Sequence, residues 1–327
     1  MNEKKINIGI IGCADIAERS VIPAIKELDE LFNLSGVASR DKEKARHFAV
    51  KFNTAAFVGY DTLIAENGLD AVYIPLPNAL HFEWIQKSID RNLHVLAEKS
   101  LACNLSEVEL LTSLAKQKKL TLVENFQFRF HHQLQVIKNI IKEKVIGELR
   151  CMRSSFGFPP FKDPQNIRYN KELGGGALMD AGAYPVKLSQ VFLGNDLTIE
   201  AANLQIDETN GIDLWGGAYL KQKNGNMFSE IAFGFDNYYQ CNVELWGSKG
   251  KLYTNRIFTA PKNHKPEIIL ESETGKQIIS LEEDHHFVNM LKYFHSIIVT
   301  GEGMDDEYNQ NLNQARLLGE LRMKASV

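Results

Sequence analysis

The chain has 327 residues, 44% of them hydrophobic and 24% charged, a balance that excludes a disordered chain and gives length for about two domains. Its formal charge of -4 arises from 41 acidic against 37 basic residues, and the basic ones are scattered, so there is no electrostatic footprint for nucleic acid. No run approaches the ~20 apolar residues that a membrane span needs, and MNEKKINIGIIG is apolar too briefly for a signal segment, which makes the cytoplasm the expected location.

Up to residue 123 the β-rich runs INIGIIG, NLSGVAS, AVYIPLP, LHVLAE and LTLVE alternate with amphipathic stretches. Alternation of this kind predicts a parallel sheet with helices on both faces, and so an α/β first domain over 1–123 whose ligands sit at the carboxyl ends of the strands. In the first turn Gly12, Ala14 and Ala17 occupy the positions of a G-x-G-x-x-G/A fingerprint, with Ala in the second place. Gly12, Cys13, Ala14, Asp15 and Ile16 are therefore candidates for a pyrophosphate cradle at a helix N-terminus, although a closely packed βα corner accounts for the same residues.

The second strand ends VASRD, placing Ser39 and Arg40 where NAD-preferring folds carry an acid. A hydroxyl and a guanidinium suit a 2′-phosphate, so the expected cofactor is NADP(H); Asp41 competes as a ribose-binding acid. The later strand ends IPLPNALH and AEKS bring Pro75, Leu76, Asn78 and His81 beside the nicotinamide ribose and Glu98 and Lys99 next to the ring. Glu98 is expected to hold Lys99 through an ion pair, with surface decoration as the plainer account of the two charges.

HHQLQVIKNIIKE has the three- and four-residue apolar repeat of a helix, and after Gly147 the character changes. LRCMRSSFGF, AANLQID, WGGAYLKQ, MFSEIAFGF, QCNVELWG and GKLYTN are short strands separated by turn residues, which predicts a mostly antiparallel sheet in one α+β domain over 124–327, closed by helices near 284–300 and 306–325. Between them GGGALMDAGAYPVKLSQVF reads as a helix starting at the glycines, so that Asp180 and Tyr184, four apart, share a face and are candidates for binding a substrate. A tyrosine near a lysine makes a proton donor, because the ammonium stabilises the phenolate; a buried structural tyrosine is the default account. NRIFTAPKNHKP carries Arg256, Lys262 and Lys265, cations for a diphosphate or simply a solvated basic loop. Cys13, Cys103, Cys151 and Cys241 lie far apart, and the pairs His131/His132 and His285/His286 lack a carboxylate at i+4, so neither a disulfide framework nor a metal site is expected.

Taken in order, GCADIA, VASR, PLPNALH, AEK and NIRYNKELGGGALMDAGAYP resemble the Gfo/Idh/MocA oxidoreductase family over essentially the whole chain, and NRIFTAPKNHKP is similar to its branch of sugar-nucleotide 3-ketoreductases of deoxysugar biosynthesis. The resemblance implies an N-terminal Rossmann domain and a C-terminal domain with a large open, mostly antiparallel sheet that serves substrate binding and oligomerisation, commonly as a homodimer or homotetramer. It implies NADPH-dependent reduction of a 3-keto group on a nucleotide-linked sugar, Lys99 and Tyr184 falling on the paired catalytic positions and Arg168 near the nicotinamide. A dehydrogenase of a free sugar or polyol, or a non-catalytic NADP-binding sensor, are the rival readings. The family usually has Pro after Glu-Lys; this chain has Ser100, and since a cis bond before a non-proline residue costs about 2.5 to 4 kcal/mol, a trans peptide is expected there.

Overall fold

The computed structural model describes residues 4–326. The first part of the chain runs β1 (Ile6–Ile11), α1 (Ile22–Glu27), β2 (Phe32–Ser39), α2 (Lys42–Phe52), β3 (Ala55–Val58), α3 (Tyr60–Ile64), β4 (Ala71–Ile74), α4 (Asn78–Asp90), β5 (His94–Glu98), α5 (Leu105–Lys118) and β6 (Leu122–Asn125). There follow α6 (His132–Lys142), β7 (Leu149–Gly157), α7 (Ala183–Leu193), β8 (Leu197–Asp207), β9 (Ile212–Gln222), β10 (Phe228–Gly234), β11 (Gln240–Gly247), β12 (Gly250–Asn255), β13 (Glu267–Ser272) and β14 (Gly275–Ser280). Two helices, α8 (His286–Thr300) and α9 (Met304–Ala325), end the chain. Among the described residues no helix is long and apolar enough to cross a membrane.

Contacts divide the chain into two compact units, one up to Asn125 with Phe287–Leu312 added, the other Phe126–His286 with the chain from Asn313 onward. The expected second domain contained everything after 123; the structure instead returns most of α8 and the first part of α9 to the first unit. The attachment of α9 there is polar: the Tyr308 hydroxyl donates to Leu120 O at 2.6 Å and Asn311 Nδ2 to Leu122 O at 3.0 Å. Such long-range capping of a strand's carbonyls has no signature in helical periodicity.

The first unit holds a six-stranded sheet in the order β3-β2-β1-β4-β5-β6, every pairing parallel. Its central strands read as apolar runs because helices cover both faces: all four residues of β4 are buried, as are five of six in β1. The order reverses between β1 and β4, so the carboxyl ends of β1, β2, β4 and β5 meet at a crevice of the kind that takes ligands in such sheets.

The second unit holds an eight-stranded sheet, β14-β13-β12-β11-β7-β10-β9-β8, antiparallel except for the β7–β10 pair. Burial alternates along β10, β11 and β12, so one face packs on a core that includes Leu134, Ile137, Leu178, Tyr184, Val186, Phe233 and Val243. The other face carries charged pairs beside aromatic side chains, among them Tyr219 packed on Phe228. Arg153 pairs with Glu230 at 2.7 Å and Glu244 at 3.5 Å, Lys251 with Glu271 at 3.4 Å, and Trp246 stands beside them 51% exposed.

Candidate active site

At the dinucleotide end, the chain leaves β1 through Gly12, whose φ of +115° lies in the region open mainly to glycine. A Cβ there would stand 2.7 Å from Leu76 Cδ2, so the turn packs directly on the loop after β4. Gly12 N donates to Ala38 O at 3.0 Å, and helical bonding starts with Glu18 N to Ala14 O at 3.1 Å, through a π turn at Ala17–Val21 that leads into α1. The amides of Asp15, Ile16 and Ala17 thus precede the first bonded turn, which is the donor set an anion takes at a helix start. Asp15 turns its side chain outward to Arg19 at 3.2 Å. Burial pushes the Cys13 thiol up to about 11, against the pull of Lys44, so this residue packs as a neutral group.

At the end of β2, Ser39 is buried and its Oγ accepts the Asp41 amide at 3.1 Å, leaving its own hydrogen to donate. The Asp41 carboxylate caps α2, with Oδ1 accepting Glu43 N at 2.9 Å and Lys44 N at 3.1 Å. Arg40 is exposed beside the Tyr60 hydroxyl, and the Tyr60 ring is fixed edge-on to Trp84 at 4.9 Å. A guanidinium and a free hydroxyl hydrogen, with the neighbouring acid engaged in a helix cap, fit the 2′-phosphate of NADP(H).

The loops after β4 and β5 are tied together. His81 has no exposed surface, and its ring lies 2.7 Å from Leu76 O through Nε2 and 2.7 Å from Ser100 O through Nδ1. The ring is neutral, since burial pushes its pKa down to about 4, so it donates to one of these carbonyls and packs against the other, filling the space behind both loops. Asn78 Oδ1 accepts Ser100 N at 3.2 Å, and Leu101 N donates to the buried Glu124 at 3.0 Å. The Lys99–Ser100 peptide is cis, which corrects the expected trans bond. The contacts on either side of it come from α4 and β6, and a reading of residue 100 alone does not include them.

Glu98 differs from expectation in its partners. Its Oε1 accepts the Tyr73 hydroxyl at 2.6 Å and Asn125 Nδ2 at 2.7 Å, both from flanking strands. Burial raises its pKa, those two bonds oppose the rise, and the half-buried Lys99 opposes it less. Neither Tyr73 nor Asn125 was singled out in the sequence, although both sit at strand ends on the ligand side of the sheet.

In the second unit the glycines after Arg168 fold the chain back on itself: Gly175 N donates to Asn170 O and Gly176 N to Arg168 O, each at 3.0 Å. Arg168 Nε then donates to Asp180 Oδ2 at 2.6 Å, with its guanidinium 4.8 Å from the Phe161 ring. Asp180 and Tyr184 flank the end of a π turn, Leu178–Gly182, not one continuous α-helix, and Asp180 pairs with Arg168. Tyr184, 8% exposed, is instead held by the rings of Phe126, Phe128, Phe156 and Phe258 at centroid distances of 5.6, 5.8, 5.1 and 5.6 Å. Arg256 lies exposed over Tyr239 at 4.6 Å, Lys262 is exposed further along the same loop, and Lys265 pairs with Glu282 at 2.8 Å. His131 and His286 meet edge to face at 5.8 Å; among the described residues no group of three or more His, Cys, Asp or Glu is arranged to hold a metal.

Known proteins resemble this chain along its whole length. Residues 6–126 match the Gfo/Idh/MocA family model described as an oxidoreductase family with an NAD-binding Rossmann fold, and residues 134–253 match the C-terminal domain model of the same family. A dTDP-3,4-didehydro-2,6-dideoxy-alpha-D-glucose 3-reductase of Actinomadura kijaniata is 36% identical over 99% of this chain and 97% of its own, and a protein of the same name from Saccharopolyspora spinosa is 38% identical over 93% and 90%. A 3-ketoreductase from Actinomadura kijaniata, solved with NADP and TDP-benzene, superposes with a TM-score of 0.94 at 35% identity, covering 98% of both chains.

Proposed function

The chain belongs to the Gfo/Idh/MocA oxidoreductase family, and from that premise we propose that it reduces the 3-keto group of a nucleotide-linked deoxysugar with NADPH. The observation that carries the reading is the match, over nearly the full length of both chains, to relatives named as 3-reductases of a dTDP-linked didehydro-dideoxyglucose. Residues of the first unit support the cofactor half: the Gly12 turn, Ser39 and Arg40 for the 2′-phosphate, and Pro75, Leu76, Asn78 and Glu98 along the ribose and ring. His81 fills the space behind them.

NADPH, when bound, supplies the hydride that attacks the keto carbon. The chain's own residues handle the oxygen. Tyr184 donates the proton of its hydroxyl to the alkoxide as charge develops there, and the Lys99 ammonium stabilises that charge and favours the phenolate left behind. Four phenylalanine rings pack around the Tyr184 ring. Asp180 and Arg168, joined as an ion pair, line the sugar, and Arg256 and Lys262 attract the diphosphate. The solved relative from Actinomadura kijaniata has also been studied as variants with a lysine changed to alanine and a tyrosine changed to phenylalanine, the same two residue types.

This reading assigns cofactor binding to the first domain and substrate binding to the second. It places the enzyme in the cytoplasm, where NADPH and nucleotide sugars are found, and makes the open face around Trp246 and Arg153 the surface by which copies associate into a homodimer or homotetramer. The deciding experiment follows NADPH absorbance as freshly generated 3-keto sugar nucleotides are supplied, with NADH as control. Turnover restricted to free sugars or polyols, with no inhibition by a nucleoside diphosphate, refutes the substrate assignment; absence of turnover with any keto sugar returns the protein to a dinucleotide sensor.

A further inference from the structure

The helix that carries Asp180 and Tyr184 starts with no cap of its own. Its N-cap is Ala177, preceded by Gly174, Gly175 and Gly176, so no local side chain offers an oxygen to the first amides. The acceptor comes from β9: the carboxylate of Asp213, 7% exposed, receives the Leu178 amide and also interacts with the Ala177 amide. This approach depends on Gly176, which has a φ of +112° and where a Cβ would stand 2.5 Å from Asp213 Oδ1. At the other end of the π turn, Gln314 Nε2 donates to Ala183 O at 2.9 Å, and Gln314 Oε1 is itself held by Gln190 at 2.5 Å. The turn is thus fixed at both ends, just before Tyr184.

A serine or aspartate at residue 177 would cap the helix equally well for stability. A carboxylate brought from a strand 35 residues away does something a local cap does not, since it ties the rotation of the helix to the sheet. A π turn accommodates one more residue than an α turn, so the angle at which the following residue emerges depends on what holds its two ends. We propose that Asp213 is a positioning residue for the reduction, fixing the start of this helix and through it the direction in which the Tyr184 hydroxyl is presented. The inference rests on Tyr184 being the proton donor.

A double-mutant cycle tests it. Asp213→Asn should lower kcat roughly 10-fold, within the ~100-fold that a misplacement of about 1 Å can cost, while leaving the Kd for NADPH within about twofold. In a Tyr184→Phe background the same change should lower the remaining rate less than about twofold, because no hydroxyl is left to aim. Gly176→Ala, which displaces the carboxylate without altering it, should give the same pattern and takes the place of D213N should that variant not fold. A wild-type kcat in D213N, or an equal loss in both backgrounds, overturns the inference and leaves Asp213 a stabilising cap. Should the Y184F rate fall below detection, the pH profile of kcat decides: a displaced phenol moves the basic limb of D213N by about half a unit or more, and an unmoved limb overturns the proposal. Full activity of Y184F by itself refutes instead the proton-donor reading on which the inference stands.

Discussion

Replacing Arg40 by alanine separates the two nicotinamide cofactors. A hydrogen bond to a charged group contributes about 1.5 to 3 kcal/mol, equivalent to roughly 10- to 150-fold in affinity. Arg40 is exposed, so the lower half of that range is expected, shrinking further as salt is added. NADPH should therefore bind on the order of 10-fold more weakly to R40A, while NADH, which lacks the phosphate, changes little. Asp41 provides the complementary arm. Its Oδ1 caps α2 through Glu43 N and Lys44 N, and asparagine caps as well as aspartate, so Asp41→Asn preserves the helix and removes only a charge. If a phosphate lies nearby, NADPH should tighten in D41N and NADH should not respond. Titrations of both cofactors at low and high salt measure all four affinities. Equal losses for NADPH and NADH in R40A, or a loss of NADH in D41N, would refute the assignment and make Asp41 the ribose acid.

Tyr184→Phe should lower kcat with little change in NADPH affinity or Tm, since the phenylalanine ring fits the same four aromatic neighbours, and Lys99→Ala should cost more; full turnover in Y184F removes the tyrosine from the acid role. Joint replacement of Arg256 and Lys262 by alanine should raise KM for the sugar nucleotide about 10-fold with kcat nearly unchanged, the mark of uniform binding, whereas an unaltered KM identifies a solvated loop. Stability should fall on acidification. His81, His94 and His286 have folded pKa values pushed down by burial to about 4, 4 and 3, below the unfolded 6.5, so the unfolded chain takes up protons first as pH drops. Between pH 7.5 and 5.5 each contributes about 1 kcal/mol to the loss, roughly 3 to 4 together, partly offset by Glu98 and Asp213, whose raised pKa values act in the opposite sense. Denaturant titrations at the two pH values check this, and equal or greater stability at pH 5.5 contradicts it.

The parts of the fold that were legible are those whose burial is symmetric. Ala71–Ile74 is buried throughout because helices cover both faces, and such a strand announces itself as an apolar run. The edge strand β3 does not, since Ala55, Ala56 and Val58 are exposed and carry no alternation; β14, exposed at five of its six residues, is hidden for the same reason. At the sites, residue types were visible and their partners were not. Glu98 could be recognised as a charge at a strand end, yet its hydrogen bonds come from Tyr73 and Asn125, 25 and 27 residues away, through a parallel register that sequence does not print.

Tyr184 shows the same limit in a sharper form. Counting four residues from Asp180 presumes one continuous α-helix, whereas the chain runs through a π turn before it reaches Tyr184. The turn forms where the chain has no local cap, and it is held by Asp213 and Gln314, which lie 35 and 131 residues from their partners Leu178 and Ala183. A helix capped by its own serine would keep its geometry wherever it packed. One capped from a distant strand keeps it only while that strand is in place, so the aim of the phenol depends on the intact sheet, and mutations along β9 far from any ligand should reach the reaction through Asp213.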